Sequence, residues 1–193
     1  MGNPTPDSQV FVTANYTLSF DALRSSLAGI DAYILVLDTQ GINVWCAAGK
    51  GTFGTSEIVR RVLIARLGEV VQHRKLILPQ LGAPGVAAHE VKKRTGFWVE
   101  YGPVRAVDLP TYLITHTATS EMRRVEFPLR DRLALVPVEF VHVILPMLAV
   151  AVVLYFIAGL VSAFAALAAV MSGAVLFPLL LPLLPTHNFS TKG

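Results

Sequence analysis

Residues 140–191 contain no Asp, Glu, Lys or Arg, and nothing else in this 193-residue chain restricts its folding as strongly. A helix needs about 20 apolar residues to cross the roughly 30 Å hydrocarbon core of a bilayer, so the run is long enough for two crossings. The expected spans lie near 141–160 and 164–184, with a turn within 159–163. Pro178, Pro182 and Pro185 are expected to kink or end the second span. A buried helical hairpin of a soluble protein is the alternative, but charge-free runs of this length belong mainly to membranes. Arg123, Arg124, Arg130 and Arg132 stand just ahead of the run, and Lys192 follows it. By the positive-inside rule both flanks are expected in the cytoplasm. The expectation is a multi-pass protein of the cytoplasmic (inner) membrane, in contact with lipid.

The chain therefore divides into a domain over 1–132, including a juxtamembrane segment, and a partial transmembrane domain over 133–193. The first part has ordinary globular composition. Residues 1–9 are polar, with two prolines and no apolar core, so no signal peptide is expected there. The net charge is only +3, and no basic stripe interleaves with aromatics, which argues against a nucleic-acid partner. A single cysteine excludes a disulfide framework and an all-cysteine zinc or iron–sulfur site.

Hydrophobic patterning predicts a helix over 19–29, capped by Ser19 or Asp21 and stopped at Gly29, with Leu23 and Leu27 on one face. A strand is expected over Tyr33–Leu37, a turn at 38–41, and a second extended run over 42–45. Residues 55–67 read as a helix with Ile58, Val59, Val62 and Leu63 as its apolar face. A strand at 76–78, a loop at 79–85, a helix over 86–95 ending at Gly96, and a strand over 97–101 follow. Strands alternating with helices predict an α/β layer with a largely parallel sheet and a hairpin at one side. The pattern over 109–119 is ambiguous.

The one cysteine, Cys46, lies in Asn43-Val44-Trp45-Cys46-Ala47-Ala48-Gly49-Lys50-Gly51-Thr52-Phe53-Gly54. A lone cysteine is most simply a buried small hydrophobe. Gly49-x-Gly51-x-x-Gly54 also matches the dinucleotide fingerprint literally, after an extended run and before a helix. No clear acidic residue ends the following strand, which weakens that match. A phosphate-binding loop of the Walker type fails for want of Ser or Thr after the lysine. His89-Glu90 lacks the second histidine of a zinc protease, and the five histidines are scattered. The widespread corrinoid signature Asp-x-His-x-x-Gly is absent.

Residues 33–113 resemble the corrinoid-binding domain of the membrane-bound mercury-methylating corrinoid proteins. Residues 43–50 look like that family's cap-helix motif at every position. Pro79-Gln80-Leu81-Gly82-Ala83-Pro84-Gly85-Val86 and Tyr101-Gly102-Pro103 are similar to the domain shared with the large subunit of the acetyl-CoA-pathway corrinoid/iron–sulfur protein. The resemblance implies a Rossmann-like α/β corrinoid-binding domain followed by transmembrane α-helices. The family's membrane domain is larger than two spans, so 187–193 reads as a loop cut short.

The resemblance also implies chemistry. A cobalamin-type corrinoid would bind base-off, with Cys46 on a short helix as catalytic residue and lower axial ligand to cobalt. A thiolate is a soft, strongly donating ligand. Asn43, Val44, Trp45, Ala47, Ala48, Gly49, Lys50, Gly51, Thr52, Gly54, Gly82, Gly85 and Gly102 would line the cofactor, the glycines letting a broad macrocycle approach the backbone. The implied reaction is methyl transfer to inorganic mercury(II), making the chain a corrinoid-dependent methyltransferase. A methyl-donating methyltransferase of the methyltetrahydrofolate pathway would supply the methyl group. A ferredoxin-like partner with two [4Fe–4S] clusters would supply electrons. The alternatives are a methyl-carrying corrinoid protein of one-carbon and acetyl-CoA metabolism, or a membrane-tethered dinucleotide-binding protein.

Overall fold

A computed structural model describes residues 1–126, 128–180 and 183. It divides into two compact units, Met1–Val125 and Glu126–Gly193. The first is a mixed α/β unit around four strands: β1 (Val10–Ala14), β2 (Tyr33–Leu37), β3 (Lys75–Leu78) and β4 (Trp98–Tyr101). Their order is β2-β1-β3-β4, and every pairing is parallel. The expected side hairpin is therefore absent among the described residues.

Sequence patterning assigns no element to 10–14, yet this segment is the longest-paired strand of the sheet. All five of its residues are buried, because helices cover both faces. Val10, Val12 and Ala14 face one side with Leu35, Leu37, Leu76 and Leu78. Phe11 faces the other with Ile77. A strand buried on both faces reads as an unbroken apolar run without alternation, and five residues of such a run carry little signal.

On the first face lie α2 (Val44–Lys50), α3 (Thr55–Ile64), α4 (Leu67–Val70) and α5 (Ala88–Thr95). On the second lie α1 (Thr17–Ser26) and α6 (Leu109–Thr115). Leu23 and Leu27 are buried as the pattern predicts. The N-cap of α1 is Tyr16, without a side-chain cap, rather than Ser19 or Asp21. α3 stops at Ile64, because Arg66 adopts a left-handed conformation (φ 45°) and starts α4. Leu63, within α3, lies off its buried face of Ile58, Val59 and Val62 and is 59% exposed. α5 ends at Gly96 in the left-handed conformation, as its sequence requires.

α6 is pinned to the second face by a polar chain. The Tyr112 hydroxyl donates to Glu100, whose other oxygen lies 3.1 Å from Lys75 Nζ. Desolvation acts to raise the Glu100 carboxyl, but the hydrogen bonds from Tyr112 and Lys75, with the Lys75 and His116 charges, hold it below its ordinary value. Desolvation and the same carboxylate push the Tyr112 phenol up.

The second unit contains α7 (Leu129–Ala158), α8 (Leu160–Met171), a π-helical turn at Ser172–Leu176 and α9 (Phe177–Leu180). Two stretches, Glu139–Ala158 and Leu160–Leu180, are long and apolar enough to cross a membrane by length and composition. The break between them is Gly159 alone (φ 84°), not the whole of 159–163. The expectations placed on Pro182, Pro185, residues 187–193 and Lys192 lie outside the described residues.

Phe11 tests the central place of β1. Phe11→Ala is expected to lower stability by about 3–5 kcal/mol, read from chemical denaturation. An unchanged midpoint would contradict a buried central strand.

Candidate functional site

In an open parallel sheet the chain leaves two neighbouring strands toward opposite faces at the switch point, and ligands bind beyond the strand C-termini there. Here that point lies between β1, which feeds α1, and β3, which leads to α5. Beyond these strand ends the chain places Asn15, the 38–43 turn with α2, and a 3₁₀ segment, Gln80–Gly85. α2 packs against that segment.

α2 begins where Asn43 caps it: the Asn43 Oδ1 accepts the Cys46 backbone N–H at 2.9 Å. It ends at Gly51 in the left-handed conformation (φ 84°). Residues 42–45 are thus not a continued strand. Asparagine capping and the buried positions Val44, Ala47 and Ala48 outweigh the local β-pattern. The opposite face carries Trp45, Cys46, Gly49 and Lys50, all exposed. Cys46 is a free, exposed thiol, so it is not a buried hydrophobe. Gly49 stands one turn from it, and a Cβ there would meet nothing within 4 Å. The outer face of α2 is therefore flat beside an accessible sulfur.

The other glycines have a different use. A Cβ on Gly82 would fall 2.5 Å from the Phe53 ring, and one on Gly85 would fall 2.3 Å from the Phe53 carbonyl oxygen and 3.0 Å from Ala48 Cα. A Cβ on Gly54 would fall 2.7 Å from the Gly51 carbonyl oxygen. These three glycines let the chain pack on itself around the fully buried Phe53. Gly102 is buried against Ile77, and Thr52 donates to the Ala47 carbonyl at 3.4 Å. The structure thus brings 43–54 together with Gly82 and Gly85, and gives Gly102 a packing role at the end of β4.

Three residues without a sequence motif, Asn15, Thr39 and Glu57, position this helix. Asn15 Oδ1 accepts from the Thr39 N–H (2.9 Å) and the Gly41 N–H (3.1 Å), while its amide donates to Asp38 Oδ1 (3.0 Å). The Thr39 hydroxyl, fully buried, lies 2.6 Å from the Ile42 carbonyl and 2.9 Å from Asn15 Oδ1. Glu57, in the first turn of α3, accepts from the Asp38 N–H and from Arg60 and Arg61. Once β1 is assigned, Asn15 is visible as the first polar residue after it. Glu57 offers only its place at a helix start.

Gly49-x-Gly51-x-x-Gly54 is not a dinucleotide turn. Gly49 lies inside α2 and Gly54 caps α3, so the preceding strand that the fingerprint requires is missing. Among the described residues no three His, Cys, Asp or Glu side chains gather as a metal site. A metal at Cys46 would need its remaining ligands from a group such as a macrocycle. The exposed thiol and the bare helix face beside it fit a flat ring carrying its own metal.

Residues 1–113 match the family described as the CO dehydrogenase/acetyl-CoA synthase delta subunit. The chain belongs to that family. Among its relatives is the acetyl-CoA decarbonylase/synthase complex subunit gamma of Archaeoglobus fulgidus, 33% identical over 106 residues, 54% of this chain and 22% of the relative. The subunit gamma of Methanopyrus kandleri is 34% identical over 58% of this chain and 24% of its own. The corrinoid/iron–sulfur protein large subunit of Moorella thermoacetica is 26% identical over 62% of this chain and 27% of its own. The matched region thus spans about a quarter of these relatives' length.

Glu57 makes the site's support sensitive to acid. Desolvation acts to raise its carboxyl, but the hydrogen bonds from Arg60, Arg61 and the Asp38 N–H outweigh it and bring it down from 4.5 to about 2. Its stabilisation is therefore complete above pH 4.5 and lost as pH falls toward 2. Glu57→Gln is expected to reduce stability at neutral pH and to flatten the acid limb between these values. An identical acid limb in the variant would exclude Glu57 as its source.

Proposed function

We propose that this chain is a corrinoid-binding methyl carrier of one-carbon metabolism, in which Cys46 would hold the metal of the bound corrinoid. The observation that carries the reading is the exposed Cys46 thiol on the outer face of a capped helix, beyond the strand C-termini. The printed names of the relatives, subunits of acetyl-CoA decarbonylase/synthase and of a corrinoid/iron–sulfur protein, support corrinoid chemistry in one-carbon and acetyl-CoA metabolism. When bound, the corrinoid supplies a metal centre able to hold and release a methyl group. Cys46 would contribute a soft donor to its metal, and Gly49 would leave the outer face of α2 open to it. Asn43, Asn15 and Thr39 hold the helix that presents the thiol.

Mercury(II) as methyl acceptor is a narrower proposal. It rests on the likeness of residues 43–50 to the mercury-methylating proteins and on the softness of the thiol donor; the relatives' names favour the acetyl-CoA setting instead. A ferredoxin-like electron donor and a methyltetrahydrofolate-linked methyl donor belong to the same proposal. We also propose that Glu139–Ala158 and Leu160–Leu180 span the cytoplasmic membrane, with the first unit in the cytoplasm. The length and apolarity of both stretches and the arginines ahead of them support this.

The full chain reconstituted with cobalamin provides the test. Cys46→Ala is expected to retain the corrinoid but shift its visible spectrum, and Cys46→Ser is expected not to restore it. An unchanged spectrum in Cys46→Ala would remove Cys46 as a ligand. Methylmercury formed from mercury(II) by the methyl-loaded chain, dependent on Cys46, would support the narrower acceptor. Corrinoid binding without methylmercury would eliminate that acceptor and leave the methyl-carrier reading standing.

Gly49 separates folding from cofactor fit. Gly49→Ala is expected to raise stability by up to about 1 kcal/mol, since alanine is the better helix former and the space is open. The same change is expected to weaken corrinoid binding. Equal affinity in the two proteins would place the ring elsewhere.

A further inference from the structure

The edge of the sheet opposite α2 carries a second surface. Because the strands are parallel, the ends of α3 and α5, all of α4 and the starts of β3 and β4 gather at that edge. Lys92, Lys93 and Arg94 form the last turn of α5, Arg66 follows α3, and Arg74 precedes β3. Two acidic residues meet these cations: Glu69 lies 4.0 Å from Arg66, and Glu90, in the first turn of α5, lies 3.9 Å from Lys93 Nζ. Asp7 and Asp31 lie ahead of β1 and β2, on the other half of the edge.

Large apolar side chains interleave with these cations. Leu63 is 59%, Ile64 65% and Trp98 55% exposed. Lys92 Nζ lies 6.0 Å from the Trp98 ring centroid, so the indole and the lysine share one patch. Arg74 is fixed by its bonds to the Val71 and His73 carbonyls and by the Phe97 ring beneath it.

We infer that this edge docks on an anionic lipid bilayer. Basic residues alone would suit an acidic protein equally well. Exposed Leu, Ile and Trp set among Lys and Arg instead match the headgroup region, where indoles partition and cations meet anionic lipid. The lysine stems add apolar cover while their ammonium groups stay in water. The inference rests on the membrane reading of the second unit, whose first span begins at Glu139, only residues 126–138 beyond the α/β unit. Docking by this edge leaves α2 and Cys46 at the far edge of the sheet, open to soluble reactants.

The chain has two tryptophans, one at each edge: Trp45 on α2 and Trp98 here. The full chain is placed in nanodiscs of phosphatidylcholine and phosphatidylglycerol whose acyl chains are brominated near the headgroup. Trp45→Phe reports Trp98 alone, and Trp98→Phe reports Trp45 alone. Bromolipid is expected to quench Trp98 and spare Trp45. The quenching is expected to be lost in pure phosphatidylcholine, in high salt, and in Lys92→Gln/Lys93→Gln/Arg94→Gln. Insertion of the helices with Trp98 unquenched, or with Trp45 quenched instead, overturns the docking surface while leaving the membrane spans intact. Failure of the chain to enter nanodiscs overturns both. Quenching that persists in phosphatidylcholine and in the triple variant overturns the role of anionic lipid. Binding of an acidic protein that displaces Trp98 from brominated discs at equimolar concentration would assign the edge to that protein instead.

Discussion

The site depends on Phe53. Its ring is fully buried, and the backbone of Gly82 and Gly85 passes so close that no β-carbon fits at either position. Its N–H donates to the Ala47 carbonyl at 3.0 Å, which closes the end of α2 onto the start of α3. This one residue, through its ring at Gly82 and its backbone at Ala47 and Gly85, thereby joins three separate segments: the cysteine helix, the helix after it and the turn beyond β3. The glycines of the 79–85 loop are accounted for by this contact. Their presence in the loop is a packing requirement, and it fixes where the outer face of α2 stands relative to the strand ends.

Around that anchor, polar contacts set the angle of the helix. Asn15 ends the central strand and ties down the 38–41 turn through two backbone N–H groups, including that of Gly41, itself in a left-handed conformation. Glu57 reaches back from α3 to the Asp38 N–H, so the same turn is held from two sides. Hydrogen bonds of this kind add modest net stability, but they leave a turn few alternatives. If Cys46 acts as proposed, its thiol would need a support of this type.

How far the sequence reveals this follows from what each signal measures. Tyr33–Leu37 and the Gly96 stop of α5 are local, and patterning finds them. The second extended run over 42–45 is misplaced because a capped helix is decided by Asn43 and by burial of Ala47 and Ala48, not by local β-propensity. β1 escapes because its neighbours β2 and β3 are distant in sequence, and only they explain why all five residues, Thr13 included, are buried. Leu63 reads as core by its apolar neighbours, but in α3 only Ile58, Val59 and Val62 are buried. Cys46 is conspicuous by composition, but its exposure is a property of the fold. Asn15 has no motif at all; its importance comes from standing at the end of a strand that only the sheet makes central.

The outer face of α2 also limits the chemistry. A protein that builds its own metal site converges three or four donors from different elements, and none converge here among the described residues. One accessible sulfur beside a bare glycine would suit a different economy of ligands, in which a bound cofactor would bring most of its metal's donors and Cys46 would supply one more. Such a site needs a flat approach and a rigid donor more than an enclosing pocket. α2 offers both: Gly49 leaves the approach open, and the Asn43 cap with the Phe53 anchor makes the donor rigid. The sulfur's reach is then set by backbone held at both ends of a seven-residue helix, so changes that loosen either end alter what Cys46 meets without touching Cys46 itself.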